Sequence, residues 1–129
     1  MAAATPLERL EALCERFLSH VERAVFPGGC FFASVAAELD TRPGPVRDRA
    51  AEVVVWWSQL HHTAIVEAQA VGELDPAEDA AQLGYEIGSL LLFANASYLL
   101  GGGADALERG RRGITRRLEL ARPPVAGRA

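Results

Sequence analysis

The chain has 129 residues, half of them hydrophobic and 23% charged, which is enough to close one core and too apolar for a disordered segment. Every basic side chain is arginine, and the net charge of −4 is uneven: residues 104–129 carry seven arginines against three acids, and the rest of the chain is strongly acidic. An acidic body binds nucleic acid poorly. Cys14 and Cys30 make no disulfide framework, and the charged opening MAAATPLERLEALCERF is no secretory signal, so the expected location is the cytoplasm.

The elements all read as helices. Thr5-Pro6-Leu7-Glu8 starts the first, with Thr5 as cap, Pro6 in the first turn and Glu8 reaching back to the cap amide. Leu7, Leu10, Leu13, Phe17, Val21 and Ala24 then follow at helical spacing. Pro27-Gly28-Gly29 ends this helix, and a shorter apolar one runs from about Cys30 to Asp40. After the turn Thr41–Pro45, Pro45 opens a third helix that reaches about Val71 and stops at Gly72. Asp75-Pro76-Ala77-Glu78 repeats the start signal, with Asp75 as the expected cap of a fourth helix. That helix ends at Gly101-Gly102-Gly103. A fifth runs from about Ala104 to Ala121, where Pro123-Pro124 stops it. The fold class expected is all-α, a five-helix bundle over residues 1–122 with a loose tail at 123–129.

Both tryptophans and two of the three histidines fall in VVVWWSQLHH, residues 53–62. On a helical wheel, Trp57 lies at the centre of an arc that also holds positions 46, 50, 53, 54, 60, 61, 64, 65, 68 and 71. His61 is the one polar member of that arc. Trp56 falls at its margin and His62 on the opposite side. The inward imidazole is open to two readings: a core histidine with a hydrogen-bond partner, or a polar contact in an otherwise apolar ligand cavity.

The fourth helix presents Ala80, Leu83, Ile87, Leu90, Ala94 and Tyr98 on one face and Leu92, Phe93, Leu99 and Leu100 on the other. Its uncharged run, Ile87 to Ala104, includes Asn95, two serines and Gly101-Gly102-Gly103, which favours a buried helix over a membrane span. Asn95-Ala96-Ser97 matches a glycosylation sequon by chance. A helix apolar all round needs cover all round, and one short chain can cover one side. The fifth helix offers a narrow seam, Leu107, Ile114, Leu118 and Ala121, flanked by Arg109, Arg112, Arg116 and Arg117. Those arginines lack interleaved aromatics and suit a solvated, ion-paired rim better than a nucleic-acid patch. The last two long helices of two subunits would form a four-helix dimer interface from Leu92, Phe93, Leu99, Leu100, Leu107, Ile114 and Leu118.

No nucleophile elbow, phosphate loop or dinucleotide fingerprint occurs. Adjacent His61 and His62 diverge by about 100° on a helix and cannot converge on a metal. No enzyme activity, metal or cofactor is expected.

The segments FPGGCFFASVAAELDTRPGPVRD, EAQAVGELDPAEDAAQLGYEIGSLLLFANASYLLGG and ALERGRRGI together resemble the C-terminal regulatory domain of TetR-family transcriptional regulators, from about Leu7 to Leu120. The resemblance implies an all-helical domain that binds a small, usually hydrophobic effector and dimerises through its last two long helices. In that family an N-terminal helix-turn-helix module reads DNA. The chain opens at what resembles the helix after that module, and the turn near Gly72 leads into a Leu-rich helix unsuited to recognition, so direct DNA binding is not expected. The expected cavity lies among the first four helices, with Phe17, Phe32 and Trp57 as apolar walls and Cys14, His61 and Asn95 as polar contacts, assigned from face direction. The expected function is that of the effector-binding and dimerisation domain of a repressor. The alternative is a homo- or hetero-dimerising module that binds neither ligand nor DNA.

Overall fold

A computed structural model describes residues 4–24, 38 and 42–126. The first helix, α1 (Pro6–Glu22), starts on the expected capping box: the Glu8 amide donates to the Thr5 hydroxyl at 3.2 Å, and the Thr5 amide donates to the Glu8 carboxylate at 2.8 Å. Two donors that the helix leaves open are thereby satisfied. The buried face of α1 is Leu7, Leu10, Cys14, Leu18 and Val21. Helix α2 (Pro45–Ala70) opens with proline in its first turn, also as expected, and buries Ala50, His61, Ala64, Ile65 and Ala68.

The next helix, α3 (Ala80–Ser97), starts four residues later than Asp75-Pro76 suggested. Asp79 is its cap, accepting from the amides of Ala81 and Gln82 at 3.0 and 3.1 Å. Asp75 instead receives the Ala77 amide at 2.9 Å. The Gln69 side-chain amide donates to the carbonyls of Asp75 (3.0 Å) and Glu78 (2.8 Å). Those bonds hold residues 75–78 as a turn, so the next aspartate, Asp79, caps the helix.

A π-turn, Tyr98–Gly102, joins α3 to α4 (Gly103–Leu120). Gly101 sits at φ +99°, a backbone region that costs glycine little. There the chain folds back on itself. The register across the two arms is antiparallel: Gly110 lies against Ala94, Gly113 against Leu90, and Arg117 against Glu86. A Cβ on Gly110 would stand 2.8 Å from that of Ala94, so a missing side chain permits the close crossing. The expectation of a five-helix bundle is therefore corrected. Among the described residues there are three continuous helical runs, Pro6–Glu22, Pro45–Ala70 and Ala80–Leu120, and the last is a hairpin of two arms. Gly101 and Gly103 leave helical backbone geometry, so the run kinks there into two helical arms. The second expected helix lies outside the described residues, apart from Glu38, which is helical.

Leu10, Leu18 and Val21 of α1, Ile65 of α2, Leu83 and Ile87 of α3, Leu107 of α4 and Leu74 of the connecting turn are fully buried and form one core. Around it, Arg111 pairs with Glu15 and Glu22, fastening α4 to α1, and Arg117 pairs with Glu78 and Glu86, fastening α4 to α3. The Asp75 amide donates to the Ala121 carbonyl at 2.8 Å and closes the open end of the hairpin. By length and composition the run Ala80–Leu120 could cross a membrane. It is folded in half, however, with one side of each arm committed to the domain core. The uncharged stretch is also less buried than expected, since Leu92, Phe93, Leu99 and Leu100 are exposed.

Candidate ligand cleft

The wheel direction of α2 holds in part. Of its arc, Ala50, His61, Ala64, Ile65 and Ala68 are buried, while Val46, Val54 and Val71 are exposed. Where α2 stands away from α3, a cleft of about 360 Å³ opens between α1, α2 and α3. Phe17 of α1 and Val53, Val54, Trp56 and Trp57 of α2 form two of its walls, and Gly88, Leu91 and Leu92 of α3 form the third. Arg16, His20 and Ser58 supply the polar groups. The volume falls in the lower part of the range of roughly 300–1,000 Å³ typical of small-molecule sites. A second groove of about 680 Å³ runs on the outer side of α1 and α2; it is more polar, with Glu8, Arg9, Gln59 and Glu67 among its lining residues, and the Arg9–Glu67 ion pair ties its two helices together. Trp56 borders both clefts and is 57% exposed.

Of the six expected ligand contacts, Phe17 and Trp57 line the cleft, their rings 5.8 Å apart and tilted by 42°. Trp57 is a half-buried wall and not the interior residue its central position on the wheel suggested. His61 is buried one turn farther along α2, edge-on to Trp57 at 4.7 Å. Cys14 belongs to the core, where burial, reinforced by the nearby Glu11 charge, pushes its thiol up to about 12. It is thus an inert, protonated side chain at neutral pH. Asn95 is buried on α3, outside the residues that line the cleft. Phe32 lies outside the described residues.

His61 Nδ1 is 3.0 Å from the Trp57 carbonyl. A carbonyl can only accept, so Nδ1 carries the proton and Nε2 is left with its lone pair. Nε2 is buried and has no hydrogen-bond partner among the described residues. Burial lowers the His61 pKa below 6.5, against the opposing effect of the bond to Trp57. Because the folded protein holds the neutral ring, the unfolded chain takes up a proton first as pH falls below about 6.5, and stability drops from that point downward. His61→Leu is expected to flatten the melting curve between about pH 7 and pH 5.5 relative to the parent chain. Superimposable pH profiles for the two proteins would refute the assignment; calorimetry at matched ionic strength decides it.

The expected dimer residues divide in two. Leu92 (51% exposed), Phe93 (75%), Leu99 (41%) and Leu100 (88%) do present an uncovered apolar face. Leu107, Ile114 and Leu118 do not: they are buried in the core of their own chain. The seam on α4 is narrow because it packs inward against the same subunit, leaving nothing to offer a second one. Arg16, His20, Ser58 and Gly88 were missed as cleft residues. The available signal was that Arg16 precedes Phe17 and that His20 lies one helical turn beyond it. Among the described residues, no three His, Cys, Asp or Glu side chains gather as a metal would require.

The family model described as tetracyclin repressor-like, C-terminal domain, matches residues 6–114. No curated protein matches the chain.

Proposed function

The chain belongs to the tetracyclin repressor-like C-terminal domain family, and from that premise we propose that it is the effector-binding and dimerisation domain of a cytoplasmic transcriptional repressor, sensing a small hydrophobic molecule. The observation that carries this reading is the cleft walled by Phe17, Trp57, Val53 and Leu91. A ligand there touches three helices at once. It would favour whichever packing of α1, α2 and α3 gives it the larger contact, and the population of that packing would rise with its differential affinity.

Both tryptophans of the chain border the cleft, so intrinsic fluorescence reports its occupancy. Small apolar compounds are expected to quench or shift that emission and to raise the melting temperature. A ligand at a hundred times its Kd adds about 2.7 kcal/mol of stability. Trp57→Ala removes the aromatic wall and is expected to weaken binding at least about tenfold. If a broad panel of such compounds neither alters the emission nor stabilises the fold, the sensor reading fails.

The exposed face of Leu92, Phe93, Leu99 and Leu100 favours a second reading, in which the domain dimerises with itself or a relative and binds neither ligand nor DNA. Dimerisation without any response to ligand is its signature.

A further inference from the structure

We infer that the cleft takes an amphipathic anion: a small apolar molecule whose polar end is a carboxylate, received by Arg16. This rests on the sensor reading above and assigns the charge of its ligand. Three observations carry it.

The first is the sign of the lining. Among the described residues, those around the cleft include Arg16 and no aspartate or glutamate. An ammonium group entering there would meet apolar walls and a guanidinium, with no counter-charge from those residues.

The second is the state of Arg16 itself. Arg9 is paired with Glu67, Arg111 with Glu15 and Glu22, and Arg117 with Glu78 and Glu86. Arg16 takes part in no ion pair among the described residues. Its helical neighbours three and four positions away are Ala12, Leu13, Ser19 and His20, so its own helix supplies no acid. The adjacent Glu15 is engaged by Arg111 through both carboxylate oxygens, each at 2.9 Å. Arg16 stands on the rim shared by this cleft and the outer groove, and its planar donor fork, free of any ion pair among the described residues, suits a carboxylate.

The third concerns Ser58, which with His20 makes up the rest of the polar lining among the described residues. The Ser58 hydroxyl donates its proton to the Val54 carbonyl at 2.9 Å. Ser58 can therefore only accept, and a carboxylate needs donors. Recognition of the charged end falls to α1, and the aliphatic or aromatic body lies between Trp57, Phe17 and Leu91.

The test compares octanoate, octan-1-ol and octylammonium by fluorescence titration and thermal shift on the full chain. Octanoate is expected to bind about tenfold more tightly than the alcohol, as one charge-assisted contact provides, and octylammonium more weakly than either. Raising the salt from about 0.1 M to 1 M should erase the octanoate advantage and leave the alcohol unaffected. Arg16→Gln should bring octanoate down to the affinity of the alcohol with the ligand-free melting temperature unchanged, since Arg16 is exposed. Arg16→Glu should turn the preference toward octylammonium. Equal binding of octanoate and octan-1-ol by the parent chain, or a preference that survives Arg16→Gln, overturns the anion assignment and leaves an apolar cleft. Failure of all three probes to bind overturns the sensor reading and this inference together.

Discussion

Leu107→Ala is expected to destabilise the fold by about 3 kcal/mol, within the range for emptying a leucine site in a packed core. For a chain of this size the melting temperature should fall on the order of 10 °C. Leu107 is fully buried beside the inward faces of α1 and α3, so the loss arises within one subunit. If Leu107 instead faced a partner, the variant would dissociate and the monomer would keep its stability. Chemical denaturation at two protein concentrations a hundredfold apart separates these cases. A midpoint that moves with concentration in the parent chain and not in the variant would show that the residue acts across an interface.

Phe93→Asp is expected to do the opposite. Phe93 is 75% exposed on the apolar face of α3 and borders a groove of about 280 Å³ lined also by Leu90, Ala94, Ala106 and Gly110. An aromatic side chain next to a groove between small residues has the character of an interface hot spot. In the dimer expected of this family, a carboxylate there should raise the dissociation constant about a hundredfold or more. The melting temperature of the isolated subunit should stay nearly constant, because a solvent-facing side chain contributes little to it. Sedimentation velocity across a concentration series measures the first effect and circular dichroism the second. An unchanged dissociation constant would remove Phe93 from the interface.

The two substitutions bear on what was legible in the sequence. Periodicity gave the inward turn of His61 and the outward turn of His62, but for α1 it missed the fully buried Leu18 and included the exposed Ala24. It could not state which body a face meets. Leu107, Ile114 and Leu118 were readable as a seam, yet the seam closes on the chain's own core. Local capping chemistry was readable where a single candidate stood, at Thr5 and Pro45. It misled where two acids competed: Asp75 and Asp79 are both suitable caps, and the choice was made by Gln69, a residue on another helix that holds the Asp75 segment as a turn. The close crossing at Gly110 was also hidden, because a glycine that permits contact looks in sequence like one that breaks a helix.

The cleft was legible in its apolar walls and not in its charge. Phe17 and Trp57 were accessible to the wheel because they are large and apolar. Arg16 is not part of the apolar arc, and only the packing of α1 beside α2 shows that it borders the same space. A wheel sorts side chains by one helix axis. A site lies between axes, and its polar members often stand at the margins of the arcs that each wheel defines.

The hairpin of α3 and α4 has a mechanical consequence. At one end its arms are joined by the tight glycine turn at residues 101–103; at the other they are clamped by Arg117 on Glu78 and Glu86 and by the bond from Asp75 to Ala121. Between those ends, Gly110 and Gly113 bring the arms into close contact with Ala94 and Leu90. Such a body is stiff against splaying and against sliding, so it responds to a load as a lever. Gly88, Leu91 and Leu92 line the cleft while Phe93 on the same arm and Leu100 in the turn after it face outward. A rigid-body displacement at the first set would carry the second with it, without any change in the hairpin's own fold.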